Sequence, residues 1–239
     1  MQQLSLFTNA RPQRIAPKRN LRNTRLNQPA GALDLFTTNA PEEEKEMALF
    51  FLDIRNFTPF IQKHQPTEVI HIIRKLFSMF RTIIRINHGE IIETSGDGFY
   101  AAFASVRVKE AVNNAVRAGI SILKNLEMLN EHSFEKSFQQ KINVGIGVHV
   151  GKVATGNIHL GSKDHFIVMG YPVNVASRIQ TATKELNNNF IVSDAVFNLL
   201  ENPPVESPMA TVNLKGVTGP CHLHLIGKPY TVSCKEKAA

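Results

Sequence analysis

The residues of this chain best suited to chemistry are two carboxylates. Asp53 closes an apolar run, Met47-Ala48-Leu49-Phe50-Phe51-Leu52, where a charge is costly unless it is paired or binds a cation. Asp97 stands in Gly96-Asp97-Gly98, the tip of an expected hairpin. If the hairpin pairs beside the first strand, the two carboxylates lie side by side. Such a pair suits two hard divalent cations about 3.5–4 Å apart, the arrangement used in phosphoryl and nucleotidyl transfer. Taken singly, a helix N-cap for Asp53 and a turn residue for Asp97 are equally good readings. Asn174 and Arg178 are four apart on an expected helix and share one face. Arginine donors suit a phosphate and an asparagine amide suits sugar oxygens, although a solvated helix face would carry the same residues. Lys215, in Asn213-Leu214-Lys215-Gly216, is a further phosphate contact or a surface lysine.

These residues need elements to hold them. The apolar run predicts a doubly buried strand over 47–54. Val69, Ile72, Ile73, Leu76, Phe80, Ile83 and Ile84 recur at helical spacing, predicting a helix over 67–87 that His88-Gly89 closes. Strands over 90–93 and 99–103 flank a turn at 94–98, and a second long amphipathic helix covers 108–130. A strand over 142–149 then turns at Gly151 and pairs with 153–158, and another strand covers 166–169. A helix follows over 172–183, with Pro172 in its first turn, and strands at 190–192, 211–214 and 222–226 complete the chain. The order strand–helix–strand–strand–helix–strand over 47–150 predicts an α+β, ferredoxin-like unit (βαββαβ) with extra strands and helices. The expected division is a basic, disordered tail over 1–45, a catalytic domain over 46–228 and a short tail over 229–239.

Composition narrows the rest. With 43% hydrophobic and 20% charged residues among 239, wholesale disorder is excluded. The apolar run at 47–52 is far too short to span a bilayer, and no charged-then-apolar leader opens the chain, which points to the cytoplasm. Cys221 and Cys234 show no metal or redox spacing. The net charge is +7, but residues 1–33 hold Arg11, Arg14, Lys18, Arg19, Arg22 and Arg25 and no acid. The remainder is nearly neutral, so no basic face for nucleic acid is indicated. Within the tail, Gln3-Leu4-Ser5-Leu6-Phe7, echoed by Leu33-Asp34-Leu35-Phe36, resembles the peptide by which bacterial proteins dock on the DNA sliding clamp. Packing of Leu6 and Phe7 on the domain is the simpler expectation.

Five segments in order are similar to the class III nucleotidyl cyclases, the adenylyl and guanylyl cyclase homology domains. Phe51-Leu52-Asp53-Ile54-Arg55-Asn56-Phe57-Thr58 resembles the first metal motif of that family, and Ser95-Gly96-Asp97-Gly98 the second. Gly145 to Gly151 followed by Gly156-Asn157-Ile158 resembles its central hairpin. Val173-Asn174-Val175-Ala176-Ser177-Arg178 resembles its transition-state helix, and Leu214-Lys215-Gly216 its terminal lysine motif. The resemblance covers residues 46–228. It implies that Asp53, Asp97 and the Ile54 carbonyl hold two Mg²⁺ or Mn²⁺ ions, with Phe57 and Thr58 beside the substrate. It also implies that Asn174 orients the ribose, Arg178 stabilises charge at the α-phosphate and Lys215 holds the β- and γ-phosphates. The 3′-hydroxyl of a nucleoside triphosphate would attack its own α-phosphate and release pyrophosphate. In the family the site is shared, so a head-to-tail homodimer is implied, with the aspartates from one subunit and Asn174 and Arg178 from the other.

Base choice in that family rests on the positions that Glu93 and Ile167 occupy here. A carboxylate only accepts, so Glu93 suits guanine or uracil N–H groups, or an amino group of cytosine or adenine. Ile167 offers the base no hydrogen bond. Gly170-Tyr171-Pro172 departs from the usual Gly-Asp-Thr/Ala and places an aromatic ring near the pocket. These departures favour UTP, CTP or GTP over ATP. The absence of any accompanying sensor or membrane segment is similar to the stand-alone pyrimidine cyclases of Pycsar anti-phage defence. An adenylate cyclase and a catalytically inactive, nucleotide-binding relative are the alternatives.

Overall fold

The computed structural model describes residues 42–230, except 161 and 162. The tail motifs at 3–7 and 33–36 lie outside the described residues, as do residues 231–239. From Met47 onward strand β1 (Glu43–Ile54) is largely buried on both faces because helices cover both sides of the sheet. Phe50, Leu52 and Ile54 enter the main core beneath α2 (Pro66–Ile86) and α3 (Val108–Leu129). Met47 and Leu49, of opposite parity, pack with Val153, Val168 and Ala176 on the other face. The strand starts before residue 46: Glu43 to Glu46 pair with Thr155 to Lys152 of β4 (Val144–Leu160). A Lys45–Glu43 ion pair of 2.6 Å and a Lys152–Glu44 pair mark that end.

The helix expected over 67–87 is α2, started by Pro66 and by a capping box between Gln65 and Glu68. A short helix, α1 (Phe57–Lys63), precedes it and had no periodicity to announce it. The hairpin strands β2 (Gly89–Ser95) and β3 (Gly98–Phe103) run further into their turn than the composition suggested. Ser95 still pairs with Gly98, leaving Gly96 and Asp97 as a two-residue turn with Gly96 at φ 57°.

The antiparallel order β2-β3-β1-β4 is the ferredoxin-like core. After α3 come a π-helical turn (Asn130–Phe134) and the short α4 (Glu135–Phe138), which lead into β4. β5 (Lys163–Met169) pairs antiparallel with the far half of β4, and α5 (Tyr171–Glu185) follows it. β6 (Phe190–Ser193) pairs parallel to β4, α6 (Asp194–Phe197) follows, and β7 (Met209–Val212) and β8 (Cys221–Leu225) extend that edge.

Gly151 does not turn the chain, contrary to its reading from composition. β4 passes through it unbroken, with Gly151 paired to Met47, and the strand that pairs with 154–160 is β5. The glycine serves a close approach instead: a Cβ there would sit 2.6 Å from Pro172 Cγ at the start of α5. Among the described residues, no helix is long and apolar enough to cross a membrane.

Candidate active site

Strand register places Asp53 opposite Gly98 of β3 and Gly145 of β4. The Asp97 carbonyl accepts a 3.2 Å hydrogen bond from the Ile54 amide, which pins the hairpin turn to the end of β1. Gly98 must lack a side chain, since a Cβ there would lie 2.7 Å from Leu52 O and 3.1 Å from Asp53 Oδ1. The two aspartates thus meet at one wall of a cleft of about 500 Å³ that Glu93, Tyr100, Asn174 and Gln180 also line. Burial, and then the charge of Asp97, hold the Asp53 carboxyl above its ordinary value of 3.8, with Arg55 pulling the other way. The two carboxylates are hard oxygen donors of the kind that fits Mg²⁺ or Mn²⁺. Among the described residues no group of three or more His, Cys, Asp or Glu side chains converges, so the remaining ligands of such ions would be water and phosphate oxygens.

Glu93 reaches the cleft through a bulge. The register shifts between Ile91 and Glu93, which sets Glu93 directly opposite Tyr100. Tyr100 stacks on Phe51 with centroids 5.0 Å apart, and its hydroxyl donates to Val168 O at 3.4 Å. Burial first, and the Glu93 charge second, push its phenol up to about 12, so it stays a hydrogen-bond donor at neutral pH. The wall beside the aspartates therefore combines an aromatic face with one carboxylate acceptor.

Of the residues singled out from the sequence, the structure gathers Asp53, Asp97, Glu93 and Asn174 around one cleft. The rest of the set lies outside it. Arg178 is exposed on α5, one turn beyond Asn174, and Lys215 is exposed between β7 and β8. Ile167 pairs with Gly156 on β5. Phe57 stacks on Phe60 at 6.3 Å and packs on the main core, while Thr58 is exposed in the first turn of α1. Tyr171 does not line the cleft either; its hydroxyl accepts a 3.2 Å hydrogen bond from Thr218 N, tying α5 to the loop that carries Lys215.

Tyr100, Gln180 and Arg55 were not read as site residues. Tyr100 shares its strand face with Gly98, so the alternation points to it once the register with Asp53 is known. Arg55 is mostly buried beside Asp53, with its Nη1 donating to Asp53 Oδ2 at 3.5 Å. No local pattern in the sequence marks it.

A ferredoxin-like sheet with Asp53 at the end of β1 and Asp97 in the hairpin turn beside it defines the class. Residues 40–228 match the family described as "Adenylate and Guanylate cyclase catalytic domain", and the chain belongs to that family. Adenylate cyclase 1 of Rhizobium meliloti is 26% identical over 173 residues, covering 72% of this chain and 26% of the relative. The germination-specific adenylate cyclase of Dictyostelium discoideum is 32% identical over 160 residues, 66% of this chain and 18% of the relative. The receptor-type guanylate cyclase gcy-6 of Caenorhabditis elegans is 30% identical over 159 residues, 66% of this chain and 14% of the relative. The chain thus spans about a quarter or less of these relatives. Among solved structures, the adenylyl cyclase CyaB of P. aeruginosa aligns over 80% of this chain and 98% of its own, with a TM-score of 0.70 and 18% identity. The guanylyl cyclase Cya2 aligns over 81% and 99%, with a TM-score of 0.70 and 24% identity. Those two likenesses concern the fold.

Proposed function

We propose that the chain converts a nucleoside triphosphate into a 3′,5′-cyclic nucleotide and pyrophosphate, with uracil, cytosine or guanine preferred over adenine. The observation that carries this reading is the meeting of Asp53 and Asp97 at one wall of a cleft. Asp53, Asp97 and the Ile54 carbonyl would hold two Mg²⁺ or Mn²⁺ ions. When bound, such ions lower the pKa of the 3′-hydroxyl and offset charge on the phosphates. The 3′-oxygen forms its bond to the α-phosphorus as the bond to the β-bridging oxygen breaks, and the hydroxyl proton leaves to solvent. Asn174 orients the ribose, Arg178 stabilises the negative charge growing at the α-phosphate, and Lys215 holds the leaving pyrophosphate.

Arg178 lies outside the cleft of its own chain, as does Lys215, which supports a head-to-tail homodimer in which one subunit supplies the aspartates and the other Asn174 and Arg178. For the base, Glu93 stands at the cleft wall beside the Phe51–Tyr100 stack as an acceptor for a base N–H. The relatives include both adenylate and guanylate cyclases, so an adenylate cyclase is the second reading.

Incubation of the purified protein with each of the four nucleoside triphosphates and Mn²⁺, with products identified by mass spectrometry, tests both parts. Cyclic UMP, CMP or GMP in excess of cyclic AMP is expected, and Glu93→Lys shifts the ratio toward cyclic AMP. Cyclic AMP as the main product would return ATP to the head of the list. No product from any of the four would leave a nucleotide-binding domain without turnover.

A further inference from the structure

Arg55 directly follows the Asp53-Ile54 pair, and its side chain is 14% exposed. Its guanidinium is held on three sides by groups far away in sequence. Nε donates to the Tyr230 hydroxyl at 3.1 Å. Nη2 donates to Gln180 O at 3.1 Å and to Thr183 Oγ1, both near the C-terminal end of α5. Nη1 is left to point at Asp53 Oδ2. The backbone is fixed as well, since the Arg55 amide donates to Asn143 O at 2.8 Å. Room for the fork exists because residue 145 is glycine: a Cβ there would fall 2.0 Å from Nη2.

Tyr230 is itself anchored, its amide donating to Asn187 Oδ1 at 3.3 Å, and its ring lies under the guanidinium with 5.8 Å from Cζ to the centroid. It falls beyond residues 40–228, the stretch that matches the family.

We infer that Arg55, braced by the Tyr230 hydroxyl, is a positioning residue that fixes the direction in which Asp53 presents its carboxylate to the metals. A rigid planar fork with three fixed acceptors has one orientation left for its remaining donors. The contact with Asp53 is long at 3.5 Å, so Arg55 acts on the carboxylate mainly as a positive charge held in a fixed place beside it. Outer-sphere partners of this kind hold a ligand in the geometry that a metal needs. The C-terminal segment through Tyr230 thereby becomes part of the support of the site. The inference rests on reading Asp53 as a metal ligand.

Titration of the full chain with Mn²⁺, followed by the electron paramagnetic resonance signal of the free ion, tests it without turnover. The variants are Asp53→Asn, Arg55→Lys and Tyr230→Phe, each checked for cooperative thermal unfolding. Lysine keeps the charge and loses the fork; phenylalanine keeps the ring and loses only the acceptor. Both are expected to weaken Mn²⁺ binding by about tenfold, the lower end for loss of an outer-sphere partner, while Asp53→Asn abolishes it. If Asp53→Asn abolishes binding and either of the other two stays within about twofold of the parent, the positioning role is overturned and the metal reading stands. If Arg55→Lys does not fold, Tyr230→Phe decides alone. If Asp53→Asn binds Mn²⁺ like the parent, the metal reading falls and this inference with it.

Discussion

Asp53 is partly buried and close to Asp97, and both circumstances raise its pKa. A carboxyl that binds its proton more tightly folded than unfolded weakens the fold while ionised. The penalty fades as the pH drops through the raised pKa toward 3.8. Asp53→Asn is therefore expected to raise the Tm at pH 7 while cutting product formation by about 100-fold or more, because charge stabilisation at the reacting phosphate is lost. Calorimetry beside a product assay checks this, and a lower Tm would contradict it. His149 works in the opposite sense. Its ring is partly buried against Ser193, with Nδ1 and Ser193 Oγ 2.8 Å apart, and that burial pulls its pKa down to about 4 from 6.5. The unfolded chain then binds a proton that the fold refuses between those two values, so stability is lost as the pH falls from 6.5 to 4. About 2 kcal/mol should go between pH 7 and pH 5 from this residue. Urea melts at the two pH values measure it, and His149→Gln should remove most of the difference.

The pairing of β4 with α5 rests on a row of glycines of one parity, Gly145, Gly147 and Gly151. At Gly147 an added Cβ would lie 2.3 Å from Gln180 N and 2.6 Å from Gln180 Cα, both backbone atoms that cannot rotate away. Gly147→Ala is expected to push α5 off the sheet and to cost about 1–3 kcal/mol, the range for overpacking. Because Asn174 and Gln180 of α5 line the cleft, turnover should drop with it. A denaturation midpoint that falls at unchanged m value, together with lost activity, is the expected pair of results; unchanged stability would show that α5 has room to move. Of these glycines, Gly151 reads as a turn in the sequence, since the same residue serves a turn and a close approach. Only the helix lying across β4 tells the two apart.

At the level of the assembly, Arg178 is exposed and lies outside the cleft that holds Asp53. If a second copy supplies it, inactive Asp53→Ala mixed with inactive Arg178→Ala should regain activity. Each mixed dimer then carries one site with both lesions and one with neither, so recovery should stay at or below about half of the parent activity. Product formation after demonstrated subunit exchange checks this, and no recovery would place the complete site within one chain.

The apolar run of β1, the long apolar stripes of α2 and α3 and the turn residues at Gly96-Asp97 were legible as local patterns. They suffice for a ferredoxin-like unit because each buried face must find a partner. Asp53 and Asp97 were legible as a candidate pair for a related reason: a carboxylate ending an apolar strand is costly unless it is paired or binds a cation, and a hairpin turn beside that strand brings a second carboxylate to it. Neither register nor long-range contact is written in local periodicity. The bulge that carries Glu93 to the cleft, the unbroken passage of β4 through Gly151, and the departure of Tyr171 to the Lys215 loop were decided when strands and helices far apart in the chain packed together. The same holds for Arg55, whose hydrogen-bond partners lie 125 to 175 residues further along the chain. A side chain's role there depends on which distant backbone ends beside it, and the tertiary structure alone supplies that.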